Sequence, residues 1–125
     1  MKIIYESGED YLERILMLTN QHGHVRAIDL ATNMNYSKPS VSRALKTLKE
    51  KGYLFVGDDG NIVLTKNGLA VANKMLERHN LIKSFLIHLG VNKDVAWEDA
   101  CRIEHDLSDE SFQAFKKFVD KLYID

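Results

Sequence analysis

One cysteine, one proline and one tryptophan are all that this 125-residue chain holds of those types. A single cysteine excludes an intrachain disulfide, so Cys101 is free, metal-bound or paired between chains. No apolar run approaches the roughly 18 residues that a membrane helix needs, and residues 1–5 pass straight into charges without a signal pattern. A cytoplasmic protein without a membrane partner is the expectation, its thiol kept reduced. A formal net charge of −1 excludes a globally basic surface. With so few breakers, most of the chain should be regular structure.

What is present is charge placed locally and apolar residues at helical spacing. Hydrophobic residues make up 45%, enough for one compact core or two small modules. Between positions 38 and 51 lie five cations (Lys38, Arg43, Lys46, Lys49, Lys51) against one acid, Glu50. The segment 74–125 carries eight basic and ten acidic residues. A basic patch on an otherwise acidic body suits a locally acting phosphate binder.

The periodicity predicts a first helix of about 15 residues capped by Ser7, with Tyr11, Leu12, Ile15, Leu16 and Leu18 on one face and Gly23 as its stop. A short helix over 27–33 should turn Ile28, Leu30, Ala31 and Met34 inward. Ser37 should cap a third helix with Pro39 in its first turn and a buried stripe of Val41, Ala44, Leu45 and Leu48. Runs at 53–56 and 61–64 around Gly57-Asp58-Asp59-Gly60 read as a hairpin, Asp-Gly supplying positive φ angles. Thr65 should cap a long helix ending near Leu89 and Gly90, with two further helices at 92–106 and 108–122. The fold class is therefore mainly α. Residues 1–70 form a winged helix-turn-helix and 71–125 a helical module. In the third helix, Ser37, Lys38, Pro39, Ser40, Ser42 and Arg43 are candidates for base edges, Lys46 and Lys49 for phosphates. Asp58 and Asp59 would be repelled by phosphate, so the wing tip is not expected as a strong DNA contact.

Six potential metal ligands fall in three short clusters: Asp10 with Glu13, His79 alone, and Cys101 with Glu104 and His105. Helical spacing puts each cluster on one face, and carboxylate, imidazole and thiolate together suit a divalent first-row metal. Singly, each residue is ordinarily a solvated or core group; it is the combination that points to ligation. His22 and His24 form an H-x-H in a loop, read as an ordinary surface pair.

Several stretches are similar to the diphtheria toxin repressor family of metal-dependent bacterial repressors. They are Glu9-Asp10-Tyr11-Leu12-Glu13, Lys38-Pro39-Ser40-Val41-Ser42-Arg43, Leu64-Thr65-Lys66-Asn67-Gly68, Arg78-His79, and the run from Asp99 to Ser108. The resemblance spans nearly the whole chain. It implies a short two-domain regulator: a winged helix followed by a helical metal-binding and dimerisation domain. Asp10 and Glu13 match the manganese-responsive branch, whereas Cys101 matches the iron-responsive one; His79, Glu104 and His105 match both. Lys83 and Trp97 occupy two positions of the iron branch's ancillary site, and neither is a ligand type.

The expected function is a homodimeric repressor activated by Mn(II) or Fe(II), binding a palindromic double-stranded DNA operator, of metal-uptake genes by resemblance. Four ionisable acidic groups (Asp10, Glu13, Glu104 and Cys101) against one divalent ion leave two options open. Either Cys101 keeps its proton beside one metal, or two ions share the cluster. A metal-independent regulator with a redox-sensing Cys101 and a small metallohydrolase are the alternatives.

Overall fold

The computed structural model describes residues 6–122, which form six helices and one two-stranded hairpin. The chain divides into two compact units, Met1–Lys74 and Met75–Asp125, the division falling inside the fourth helix.

The first unit holds α1 (Glu6–His22), α2 (Ala27–Met34), α3 (Lys38–Glu50), β1 (Leu54–Val56), β2 (Ile62–Leu64) and the start of α4 (Lys66–His88). Ser7 is the second residue of α1 and not its cap, because the helix begins further upstream than the serine suggested. Tyr11, Leu12, Ile15, Leu16 and Leu18 are buried, and Leu30, Ala31, Val41, Leu45, Leu48, Leu54 and Ile62 join them in one core. Ile28 was expected to face inward but is 46% exposed; α2 has only eight residues, and one buried pair, Leu30–Ala31, suffices to seat it. Asn35 takes the left-handed conformation (φ 57°) that ends α2, a conformation that asparagine tolerates. Ser37 caps α3 as expected, its hydroxyl accepting from the Ser40 N–H at 3.2 Å, with Pro39 in the first turn.

The hairpin pairs Leu54 with Leu64, Phe55 with Val63 and Val56 with Ile62. Its turn differs from the Asp-Gly reading. Among its residues only Gly60 has positive φ, while Asp59 stays in the ordinary region and accepts from the Asn61 N–H through Oδ1 at 2.9 Å. The five-residue loop is closed by the Gly57 N–H donating to the Asn61 carbonyl. Val25 is stitched to the same strand: its carbonyl accepts from the Ile62 N–H at 2.8 Å. Thr65 caps α4, accepting from the Gly68 N–H at 3.2 Å while its own hydroxyl donates to the Gly52 carbonyl at 2.7 Å.

The second unit comprises the rest of α4, α5 (Lys93–Ile103) and α6 (Asp109–Leu122). Asn92 caps α5 and Ser108 caps α6, the latter accepting from the Ser111 N–H at 3.1 Å. Met75, Ile82, Ala96, Ala100, Phe112 and Val119 fill the core of this unit. α5 ends three residues earlier than expected, with Glu104 as its C-cap and 104–106 forming a turn.

Candidate metal centre

Four of the six candidate ligands meet inside the second unit. α4 supplies His79, which has no exposed surface; α5 supplies Cys101, half-buried; its C-cap supplies Glu104, also with no exposed surface; and the following turn supplies His105. Although the helix ends at Ile103, Glu104 keeps right-handed helical dihedrals (φ −57°, ψ −28°). The one-turn spacing from Cys101 to Glu104 is therefore preserved.

Glu104 is the centre of the group. Its Oε2 lies 3.2 Å from His79 Nδ1 and its Oε1 lies 3.3 Å from His105 Nε2. The Cys101 sulfur lies 3.7 Å from the same His79 nitrogen. A carboxylate withdrawn wholly from water is costly unless charge or donors meet it. Here two imidazoles, one on each oxygen, meet it. Donors bound to a single first-row ion at bond lengths of about 2.1 Å sit ~3–3.5 Å from one another. The spacing of the two imidazoles about the carboxylate falls in that range. With one oxygen donor group, two nitrogens and one sulfur, the chemistry of the set fits a divalent transition metal. Trp97 closes one side, its ring 5.0 Å from the His79 ring at 72°.

In the first unit, Asp10 and Glu13 stand one turn apart on α1; Asp10 is half-buried and Glu13 is 4% exposed. Buried Tyr11 and Leu12 lie between them in sequence and anchor that helix in the core. His22 and His24 do not join a ligand group; with Asp29, Thr32 and Asn33 they line a separate surface cavity of about 240 Å³. Lys83 is half-buried on α4 and Trp97 packs on His79.

The candidate DNA-contacting residues lie along α3. Lys38, Pro39, Ser42, Arg43 and Lys46 are exposed, as is Ser37 at the cap, and Ser40 is half-buried; Ala44 is half-buried where full burial was expected. A chain of hydroxyls orders the helix start, Ser37 donating to Ser40 Oγ at 2.8 Å and Arg43 Nη2 reaching the same oxygen at 3.4 Å. Tyr36, directly before the Ser37 cap, is 48% exposed, and its ring lies 5.9 Å from Tyr11. Burial pushes the Tyr11 phenol above its ordinary value, Tyr36 adding to the shift and Arg43 opposing it.

The sequence reading also missed Arg78 as an active participant. It is 3% exposed, and its guanidinium donates to the carbonyls of Glu104 (3.0 Å) and Leu107 (2.5 Å) and to Asp109 Oδ1 (2.7 Å). The sequence flagged it only as the residue adjoining His79 in the Arg78-His79 pair.

Residues 4–61 match the family described as "Iron dependent repressor, N-terminal DNA binding domain", and residues 65–125 match "Iron dependent repressor, metal binding and dimerisation domain". An uncharacterized HTH-type transcriptional regulator of Methanocaldococcus jannaschii is 36% identical over 118 residues, covering 93% of this chain and 94% of that protein. The transcriptional regulator MntR of Escherichia coli O6:H1 is 34% identical over 113 residues, covering 90% of this chain and 73% of that protein. Among solved structures, the manganese regulator SloR superposes with a TM-score of 0.80 at 31% identity, covering 90% of this chain. The chain spans about half of that structure, 53% of its length.

Proposed function

Since the chain belongs to the iron-dependent repressor family, the metal-dependent transcriptional repressors that include the diphtheria toxin repressor and MntR, we propose that it is a homodimeric repressor whose DNA binding is switched by Mn(II) or Fe(II). Its relatives are transcriptional regulators and not enzymes, which removes the metallohydrolase alternative. The observation that carries the reading is the buried His79–Glu104–His105 group with the Cys101 sulfur beside it.

His79, Cys101, Glu104 and His105 would hold the ion from the second unit, and Asp10 and Glu13 would complete the ligand set from the DNA-binding unit. A bound divalent cation supplies the positive charge that lets carboxylates, thiolate and imidazoles share a small dry space. In this reading the ion would join donors carried by two compact units. Without that joining, the anionic groups repel one another and the spacing of paired α3 helices in a dimer is not fixed. Fixing it would match two adjacent major-groove half-sites of a palindrome. Arg43 and Lys46 would then serve bases and phosphates from the exposed face of α3. A coupling of about 1–3 kcal/mol between the two sites corresponds to a 5- to 150-fold change in DNA affinity. Whether one or two ions are held follows from the protonation of Cys101, and two are favoured if the thiol ionises.

The dimer contact is assigned to the second unit. Phe118 is 56% exposed and Leu89 62%, and a groove of about 820 Å³ lined by Leu81, Ile87 and Val119 runs beside α6.

The test is selection of duplexes from a random pool by protein loaded anaerobically with Mn(II) or Fe(II), then affinity measured with metal, with chelator and with oxidant. Inverted repeats bound at least five-fold tighter with metal are expected, and Glu104→Ala should remove that dependence while leaving the protein folded. Equal affinity in chelator would refute the metal switch. Loss of affinity on oxidation of metal-free protein would instead favour the redox reading of Cys101, which the 3.7 Å contact with His79 makes chemically reasonable.

A further inference from the structure

Two consecutive residues of α4 hold Glu104 by its two ends. His79 meets its carboxylate at 3.2 Å, and Arg78 Nη1 donates to its main-chain carbonyl at 3.0 Å. The same Nη1 reaches the Leu107 carbonyl, so one guanidinium nitrogen spans the turn that carries both Glu104 and His105. Nη2 pairs with Asp109 in the first turn of α6, and the guanidinium carbon lies 5.1 Å from the centre of the Phe112 ring.

We infer that Arg78 is a positioning residue for the metal site: it fixes the 104–107 turn and ties it to the start of α6. This rests on the metal reading given above.

Three arguments support the assignment. First, Glu104 is the C-cap of α5, and the last carbonyls of a helix have no partner within it. A cation at that end satisfies them and meets the negative end of the helix dipole. Second, the fork of a guanidinium fixes direction in a way an ammonium does not. Here its two nitrogens serve acceptors in two different segments, the ligand turn and α6. Third, stability alone is a poor reason to bury an arginine. A buried ion pair is often no better than well-packed apolar residues, and removing one partner is what costs. Arg78 is 3% exposed, whereas the Asp109 side chain is 75% exposed. The pair therefore gains little from Asp109 as a shield, and the gain lies in where the turn is held. Groups behind first ligands typically change metal affinity about 10- to 100-fold when altered.

A consequence is that the ligand turn and the start of α6 are coupled through the Arg78 guanidinium as well as through the chain that joins them. Because binding couplings are reciprocal, whatever steadies the start of α6 also raises metal affinity.

The experiment compares wild type, Arg78→Lys and Asp109→Asn, with Lys116→Ala as a control that removes an unrelated pair of the same unit, Lys116 with Glu77. Mn(II) affinity is read by electron paramagnetic resonance on DNA-free protein, the Co(II) visible spectrum reports ligand arrangement, and melting of the metal-free protein reports the fold. Arg78→Lys should bind Mn(II) about 10- to 100-fold more weakly and show a changed Co(II) spectrum. Asp109→Asn should lose at least threefold in Mn(II) affinity while the metal-free protein stays folded, and Lys116→Ala should match wild type. If Arg78→Lys fails to fold, Asp109→Asn decides, since its side chain is at the surface. A variant pair that melts lower but keeps wild-type Mn(II) affinity and Co(II) spectrum makes Arg78 purely structural and overturns the inference. Wild type that binds neither ion overturns the metal reading, and this inference with it. Tight wild-type binding with unaltered variants sinks the inference alone.

Discussion

Replacing Gly68 with alanine tests whether the joint between the hairpin and α4 is as tight as it looks. A Cβ built on Gly68 would lie 1.9 Å from the Tyr53 carbonyl oxygen and 2.9 Å from its carbon, where ordinary contact begins near 3.4 Å. The obstacle is backbone, so no side chain can swing aside; α4 and the β1 approach must part by more than 1 Å. That same oxygen accepts the Thr65 N–H at 3.1 Å, a bond the movement would break. Overpacking costs about 1–3 kcal/mol and the lost hydrogen bond about 1 kcal/mol. Alanine's better helix propensity returns up to ~1 kcal/mol. The net loss is about 1–3 kcal/mol. For a unit of this size that lowers the melting temperature by roughly 4–8 °C per kcal/mol. Circular dichroism melts of Gly68→Ala and wild type would show it directly. A variant melting at or above wild type would mean that the two segments separate freely and that the steric reasoning is wrong.

Other perturbations reach the function. Cys101→Glu replaces a soft donor with a hard one, so the ratio of half-activating Mn(II) to Fe(II) concentrations should move towards Mn(II), and sensitivity to air should disappear with the chain's one thiol; an unchanged ratio would show that Cys101 only packs there. Arg43→Ala and Lys46→Ala should weaken operator binding and, for a phosphate contact, lower the salt slope by about one unit each. Metal affinity without DNA should be unaffected, and normal operator binding in both variants would remove α3 from the interface. Phe118→Asp, at a ring already 56% exposed, should give monomers in sedimentation at micromolar concentration; a dimer persisting in that variant would place the contact elsewhere.

Local chemistry was readable before the structure. The Ser37 cap, Pro39 within the first turn, the Thr65 cap and the Gly90 stop are decided by neighbours a few residues away, and each stands where the residue types put it. So are the apolar stripes of α1 and α3. What the sequence hid is set by distant partners. The early end of α5 coincides with Arg78, 26 positions upstream, taking the Glu104 carbonyl. The hairpin turn closes on Asn61 rather than on an Asp-Gly pair, because Asn61 also holds Val25 through its side chain at 3.0 Å. The ligand types were visible as residues, but the order of contact was not: Glu104, and not the metal-preferring cysteine, sits between the two imidazoles.

Trp97 is the chain's one indole, and it stands edge-on to His79 at 5.0 Å. Fluorescence from this protein on excitation at the red edge of the tryptophan band therefore comes from a single emitter next to the donor cluster. A paramagnetic ion held by His79 would quench that emission at contact range, whereas diamagnetic Zn(II) would leave most of it. The molecule thus carries its own optical gauge of occupancy, readable without label, DNA or partner.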